Sequence, residues 1–153
     1  MKTKYILGIF AVLLLAASCV YASEVVDDDY KFSLPDKYAV DSQSDDYFDL
    51  KMDGDHLISV KITDDVVSDA DTIKSLESQG YNVTGNKTFQ YNGREISEIT
   101  YSANSSQFYL YSWKISDNDD DYAIVALGIP LAEGNVDWNS SPVKTIFDTM
   151  VKK

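Results

Sequence analysis

"DYAIVALGIP", residues 121–130, is the stretch whose reading decides the fold of this 153-residue chain. Side chains of a strand alternate between two faces, so Ile124 and Ala126 share one face while Val125, Leu127 and Ile129 share the other. Both faces are apolar. That pattern belongs to an inner strand covered on both sides, not to an edge.

The neighbouring segments supply strands to pair with it. "SQFYLYSWKIS" (106–116) precedes it across the acidic turn "DNDD" (117–120). Further back, "NKTFQY" (86–91) and "REISEITYSA" (94–103) flank Asn92-Gly93, a dipeptide that favours a tight hairpin turn. A second hairpin is predicted from "DYFDLKMD" (46–53) and "HLISVKIT" (56–63), each alternating apolar and polar residues around Asp53-Gly54. "YKFSL" (30–34) reads as a short strand stopped by Pro35. Between the second hairpin and the later strands, residues 69–79 have helical spacing, with Ala70, Ile73 and Leu76 on one face. Ser68 or Asp69 can cap this helix and Gly80 can end it. Its apolar stripe is thin, so it should cover a sheet and not be buried itself. A closing helix is expected at 142–152, with Pro142 at its first position behind Ser141 and a face of Val143, Ile146, Phe147 and Met150. The order predicts an α+β domain: an antiparallel β-sheet of six to seven strands with helices packed on its faces.

The first two dozen residues differ from the rest. Lys2 and Lys4 precede the apolar run "ILGIFAVLLLAA" (6–17), and Val20-Tyr21-Ala22 makes a small-residue cleavage site before Ser23. Residues 1–22 are therefore expected to be a secretory signal, with an uncleaved membrane anchor as the alternative, since the uncharged stretch from Tyr5 to Ser23 approaches the ~20 residues of a spanning helix. Cys19, the single cysteine, stands in a degenerate lipid-attachment context, with Ala16 three residues before it. It either departs with the signal or carries a lipid. All these readings place Ser23 onward outside the cytoplasm. Residues 23–29, "SEVVDDD", read as an exposed acidic lead-in, and 30–153 as a single domain. Without Lys2 and Lys4 the chain has 11 basic and 25 acidic residues, a net charge of −14. Such a field repels nucleic acid and anionic lipid. A domain freed of Cys19 holds no disulfide, no thiol nucleophile and no cysteine zinc site.

The arrangement, with particular phrases in it, resembles the PsbP-like superfamily. "YKFSLPDKY" is similar to that family's opening strand, "YNGREISEITYS" to its central hairpin, and "KTIFDTMVKK" to its closing helix. The resemblance spans about residues 30–150. It implies an α/β/α sandwich, an antiparallel sheet with helices on both faces. It also implies a protein that binds partners and does not catalyse, since the family includes an extrinsic subunit of the oxygen-evolving photosystem, periplasmic lipoproteins and a nuclear-import cofactor. No functional residue carries over. The photosystem member's extended N-terminal region is missing, so a photosynthetic role is not implied.

Four features hold candidate chemistry. His56, the only histidine, follows "DGD" at a hairpin edge without a nucleophile motif to serve, and reads as a solvated turn residue. Asp117, Asp119 and Asp121 alternate in one turn and are candidate calcium ligands, although the glycine and later glutamate of a calcium loop are missing. The competing reading is a solvated turn whose charge keeps strand edges apart. Tyr109, Tyr111 and Trp113 share one face of a strand, as a binding platform or as core. Asn82, Asn86, Asn104 and Asn139 each open an N-x-S/T sequon; the first three are candidate glycosylation sites, and Pro142 handicaps the last.

These features point to an exported, non-catalytic binding or structural module, secreted or held at the outer face of the cytoplasmic membrane. Its expected partner is another protein or a cell-surface component. It needs no cofactor, and it meets a membrane only through its N-terminal segment. The alternative is a cation- or small-ligand-binding protein using the 117–121 turn or the 109–113 strand.

Overall fold

The computed structural model describes residues 24–26, 29–45 and 47–153. The expected signal segment and Cys19 lie outside these residues. In chain order the elements are β1 (Glu24–Val26), β2 (Tyr30–Ser33), β3 (Ala39–Ser44), β4 (Tyr47–Met52), β5 (His56–Thr63), α1 (Asp69–Ser78), β6 (Asn82–Tyr91), β7 (Arg94–Ala103), β8 (Ser106–Lys114), β9 (Tyr122–Pro130), α2 (Val143–Thr149) and β10 (Val151–Lys152). Short 3₁₀ turns occupy Leu131–Glu133 and Trp138–Ser140. Two compact units emerge, one from residues 39–135 and one from residues up to 38 together with 136–153.

The larger unit is a seven-stranded antiparallel sheet in the order β3-β4-β5-β9-β8-β7-β6. β9, the doubly apolar stretch at 121–130, is its central strand. Cross-strand register places Ile58 opposite Leu127, Tyr109 opposite Leu127, and Glu98 opposite Tyr111. One face therefore gathers Phe48, Leu50, Ile58, Val60, Ile96, Tyr111, Val125 and Leu127, all essentially inaccessible to solvent. Two hairpins form where glycine was read. Asn92 and Gly93 both take positive φ in a two-residue turn between Tyr91 and Arg94, and Gly54 and Asp55 do so between β4 and β5.

The smaller unit is a three-stranded sheet, β1-β2-β10, with α2 packed on β2. Its core is Val25, Phe32, Trp138, Val143, Ile146 and Met150. Two expectations change here. The lead-in is not wholly exposed: Glu24–Val26 pair with β2, and Val25 is buried. The closing helix stops at Thr149 and not at 152. Met150 is extended, and Val151, whose β-branched side chain favours a strand, pairs with Lys31.

β3 was unforeseen. Its six residues, "AVDSQS", include none that is buried, and it forms an edge with a register shift between Val40 and Ser42. β6, the other edge, starts four residues earlier than expected, with an irregularity between Val83 and Gly85.

Candidate functional site

The face of the larger sheet opposite its buried side is only partly covered, by α1. Ser68 starts this helix: its hydroxyl accepts the Asp71 backbone N–H and donates to the Asp71 carboxylate. Asp69 and Asp71 add negative charge to the first turn, where the helix dipole favours it. At the other end Gly80, at φ +90°, lets the chain reverse, with its N–H bonded to the Glu77 carbonyl and that of Tyr81 bonded to the Leu76 carbonyl. No residue of α1 is buried. The helix lies on β6 and β7, fixed at its start by Ser97 donating to the Asp69 carboxylate at 2.6 Å.

Beside α1 the sheet carries an open groove of about 260 Å³. Its floor is Ile99 from β7, Leu110 from β8 and Ile124 from β9. Thr72, Ser75 and Leu76 form the helix wall, and Val66 and Val67 stand at the mouth. The floor follows from strand alternation: Leu110 and Ile124 occupy positions between buried residues of β8 and β9 and are apolar where a solvated face would be polar, and Ile99, on the same face, is itself 2% exposed. At one end Ser112 and Tyr122 also line a more polar hollow of about 400 Å³ that holds Arg94 and Lys114. In the opposite direction, one strand step from Ile99 and Leu110, Tyr101 and Phe108 stack at 4.9 Å and Tyr81 meets Tyr101 edge-on at 5.2 Å. Burial, then the neighbouring Tyr81, raise the Tyr101 phenol above its ordinary pKa.

The residues singled out from sequence lie elsewhere. Tyr109, Tyr111 and Trp113 are 5%, 0% and 2% exposed, so their face of β8 is core and offers no binding platform. The half-exposed side of the same strand is Phe108, Leu110 and Ser112. Asp117, Asp119 and Asp121 do not assemble a cation site: among the described residues no three histidine, cysteine or carboxylate side chains come together to hold a metal. Cations of the protein itself stand beside two acids of the turn, Arg94 at 3.5 Å from Asp117 and Lys114 at 3.8 Å from Asp120. His56 is not simply solvated. Its Nδ1 is 3.0 Å from the Asp53 carbonyl and its Nε2 is 2.8 Å from Glu133, whose hydrogen bond raises its pKa. Neither partner is a serine, threonine or cysteine that the imidazole could activate. Asn82, Asn86, Asn104 and Asn139 are all exposed; the first two lie on edge strand β6, and Asn104 sits at positive φ in the β7–β8 turn.

The groove residues escaped sequence reading because Ile99 and Leu110 look like ordinary strand residues. The available signal was the thin stripe of α1, too narrow to cover the face it lies on.

The solution structure of cyanobacterial PsbP (CyanoP) from Synechocystis sp. PCC 6803 superposes on this chain with a TM-score of 0.55, covering 92% of this chain and 99% of that one. The fold is PsbP-like. Sequence identity over the match is 15%, so the PsbP-like likeness is one of architecture. No protein-family model matches the chain, and neither does any curated protein sequence. Among the described residues no helix is long and apolar enough to cross a membrane.

Proposed function

We propose that the chain is an exported, non-catalytic binding module and that the groove beside α1 is its ligand site. The open apolar groove carries this reading. A helix with no buried residue lies over one part of an apolar sheet face and leaves Ile99, Leu110 and Ile124 beneath an accessible hollow. Concave, mostly apolar sites with a few polar groups are where proteins take up ligands. The PsbP-like architecture agrees with a binding role, and the partners of His56, the Asp53 carbonyl and the Glu133 carboxylate, include no serine, threonine or cysteine for it to activate.

Titration with the neutral fluorophore N-phenyl-1-naphthylamine tests the groove. The wild-type chain should enhance its emission saturably. Ser75→Trp, which places an indole into the groove from the exposed helix wall, should weaken binding by about tenfold, on the scale of losing one buried aromatic contact. Equal binding by both proteins overturns the assignment. Export is tested by intact mass from the native host: a chain beginning at Ser23 or an acylated Cys19 supports it, and an unprocessed cytoplasmic chain refutes it.

A further inference from the structure

We infer that the occupant of this groove is a basic segment of another protein, in which an apolar side chain is flanked by lysines or arginines. The inference rests on the groove reading above and adds the chemistry of the partner.

The mouth of the groove is the segment "DDVVSDAD" (64–71). Val66 and Val67 are 50% and 55% exposed, two adjacent aliphatic side chains held in water beside an apolar hollow. Four aspartates flank them in sequence. Asp69 and Asp71 line the groove, and Asp64 and Asp65 are exposed just before the valines. The hydrogen bonds from Ser97 to Asp69 and from Ser68 to Asp71 fix these carboxylates in place. No lysine or arginine lines the groove, and none occurs between Lys61 and Lys74; among the described residues the one cation paired with a floor residue is exposed Lys61, opposite Ile124, against four aspartates in the 64–71 segment. In the adjoining hollow the positive charges of Arg94 and Lys114 are each offset by an aspartate.

An apolar centre with an acidic rim selects by charge. A second copy of this chain would bring the same four aspartates against it, on top of a net charge of −12, and like charges across an interface are costly. Nucleic acid and anionic lipid are disfavoured for the same reason. A cationic segment gains from every rim carboxylate while its apolar side chain fills the hollow. The size agrees: about 260 Å³ lies just under the range of about 300–1,000 Å³ for sites that engulf drug-sized ligands, and suits inserted side chains.

The test is selection from a random displayed peptide library on the purified full-length chain, with Ser75→Trp as the counter-target. The expected consensus is one or two aliphatic or aromatic residues between lysines or arginines. A resynthesised peptide should bind about fivefold more weakly to the Asp64→Asn, Asp65→Asn double variant, the scale of two exposed ion pairs. Its affinity should also fall as salt rises. Both aspartates are exposed and the double variant should keep the wild-type circular dichroism. If the enriched peptides are lost on Ser75→Trp yet carry acidic or uncharged flanks, the basic-partner inference fails while the groove stands. If no peptide distinguishes wild type from Ser75→Trp, the inference fails, and the fluorophore titration separately decides whether the groove falls with it.

Discussion

Gly128, in the central strand, shows how closely the open face of the sheet is fitted. A Cβ at this position would lie 3.0 Å from Cε1 and 3.1 Å from Cδ1 of Phe108, the ring that stacks on Tyr101. Gly128→Val should force that ring aside at a cost of about 1–3 kcal/mol, the usual scale for overpacking. Chemical denaturation measures it, and an unchanged midpoint would mean the ring moves freely. The His56–Glu133 pair is a second residue-scale test. Because its pKa is raised in the folded chain, protonated His56 contributes stability in full below the unfolded value near 6.5, and that contribution is lost as pH rises through the higher folded value. His56→Gln should therefore cost up to about 1 kcal/mol near pH 5 and much less near pH 9, modest because the pair is partly exposed. An equal cost at both pH values would show that the ion pair is not the source.

Burial along β9 and its exit makes the element scale quantitative. Leu127 is inaccessible in the middle of the sheet, whereas Leu131, just past the strand, is 49% exposed. Leu127→Ala should cost about 2–5 kcal/mol and Leu131→Ala less than about 0.5 kcal/mol. Thermal unfolding of the two variants checks the contrast. Ser68→Ala should remove about 1 kcal/mol of capping and raise amide exchange across Asp69–Ser78 more than in the sheet. The elements legible in sequence were those in which one signal dominates: two-faced apolarity in β9, glycine turns around β5 and β7, a serine cap and glycine stop on α1. Those missed lack such a signal. β3 has no buried residue and holds its edge through backbone pairing with β4; β1 and β10 are two or three residues long and owe their conformation to β2. The same logic explains the site. The aromatic alternation 109–111–113 was visible, but which of its two sides is covered depends on tertiary packing. The groove depends on where α1 lies over the sheet, which no local pattern encodes.

At the scale of the whole molecule, charge is the dominant surface property. With a net charge of −12 and a sequence pI near 4.2, self-repulsion opposes the compact state at neutral pH. Raising salt from about 10 mM to about 200 mM shortens the screening length from about 30 Å to under 10 Å. The melting temperature should rise by a few degrees over that range. A fall would mean that attractive ion pairs outweigh the net field. The two compact units also differ in how their strands are spaced along the chain. The seven-stranded sheet is contiguous, residues 39–135, so each of its strands can find a partner soon after it is made. The three-stranded sheet takes β1 and β2 from the beginning of the described chain and β10 from its last residues, with Lys153 bonded back to Asp29. During synthesis, β2 must therefore wait with one side unpaired until residues 151–152 have emerged from the ribosome. Domains assemble as units in the order their residues emerge, so the larger sheet is complete first, and closure of the smaller one follows once residues 151–152 can pair with β2.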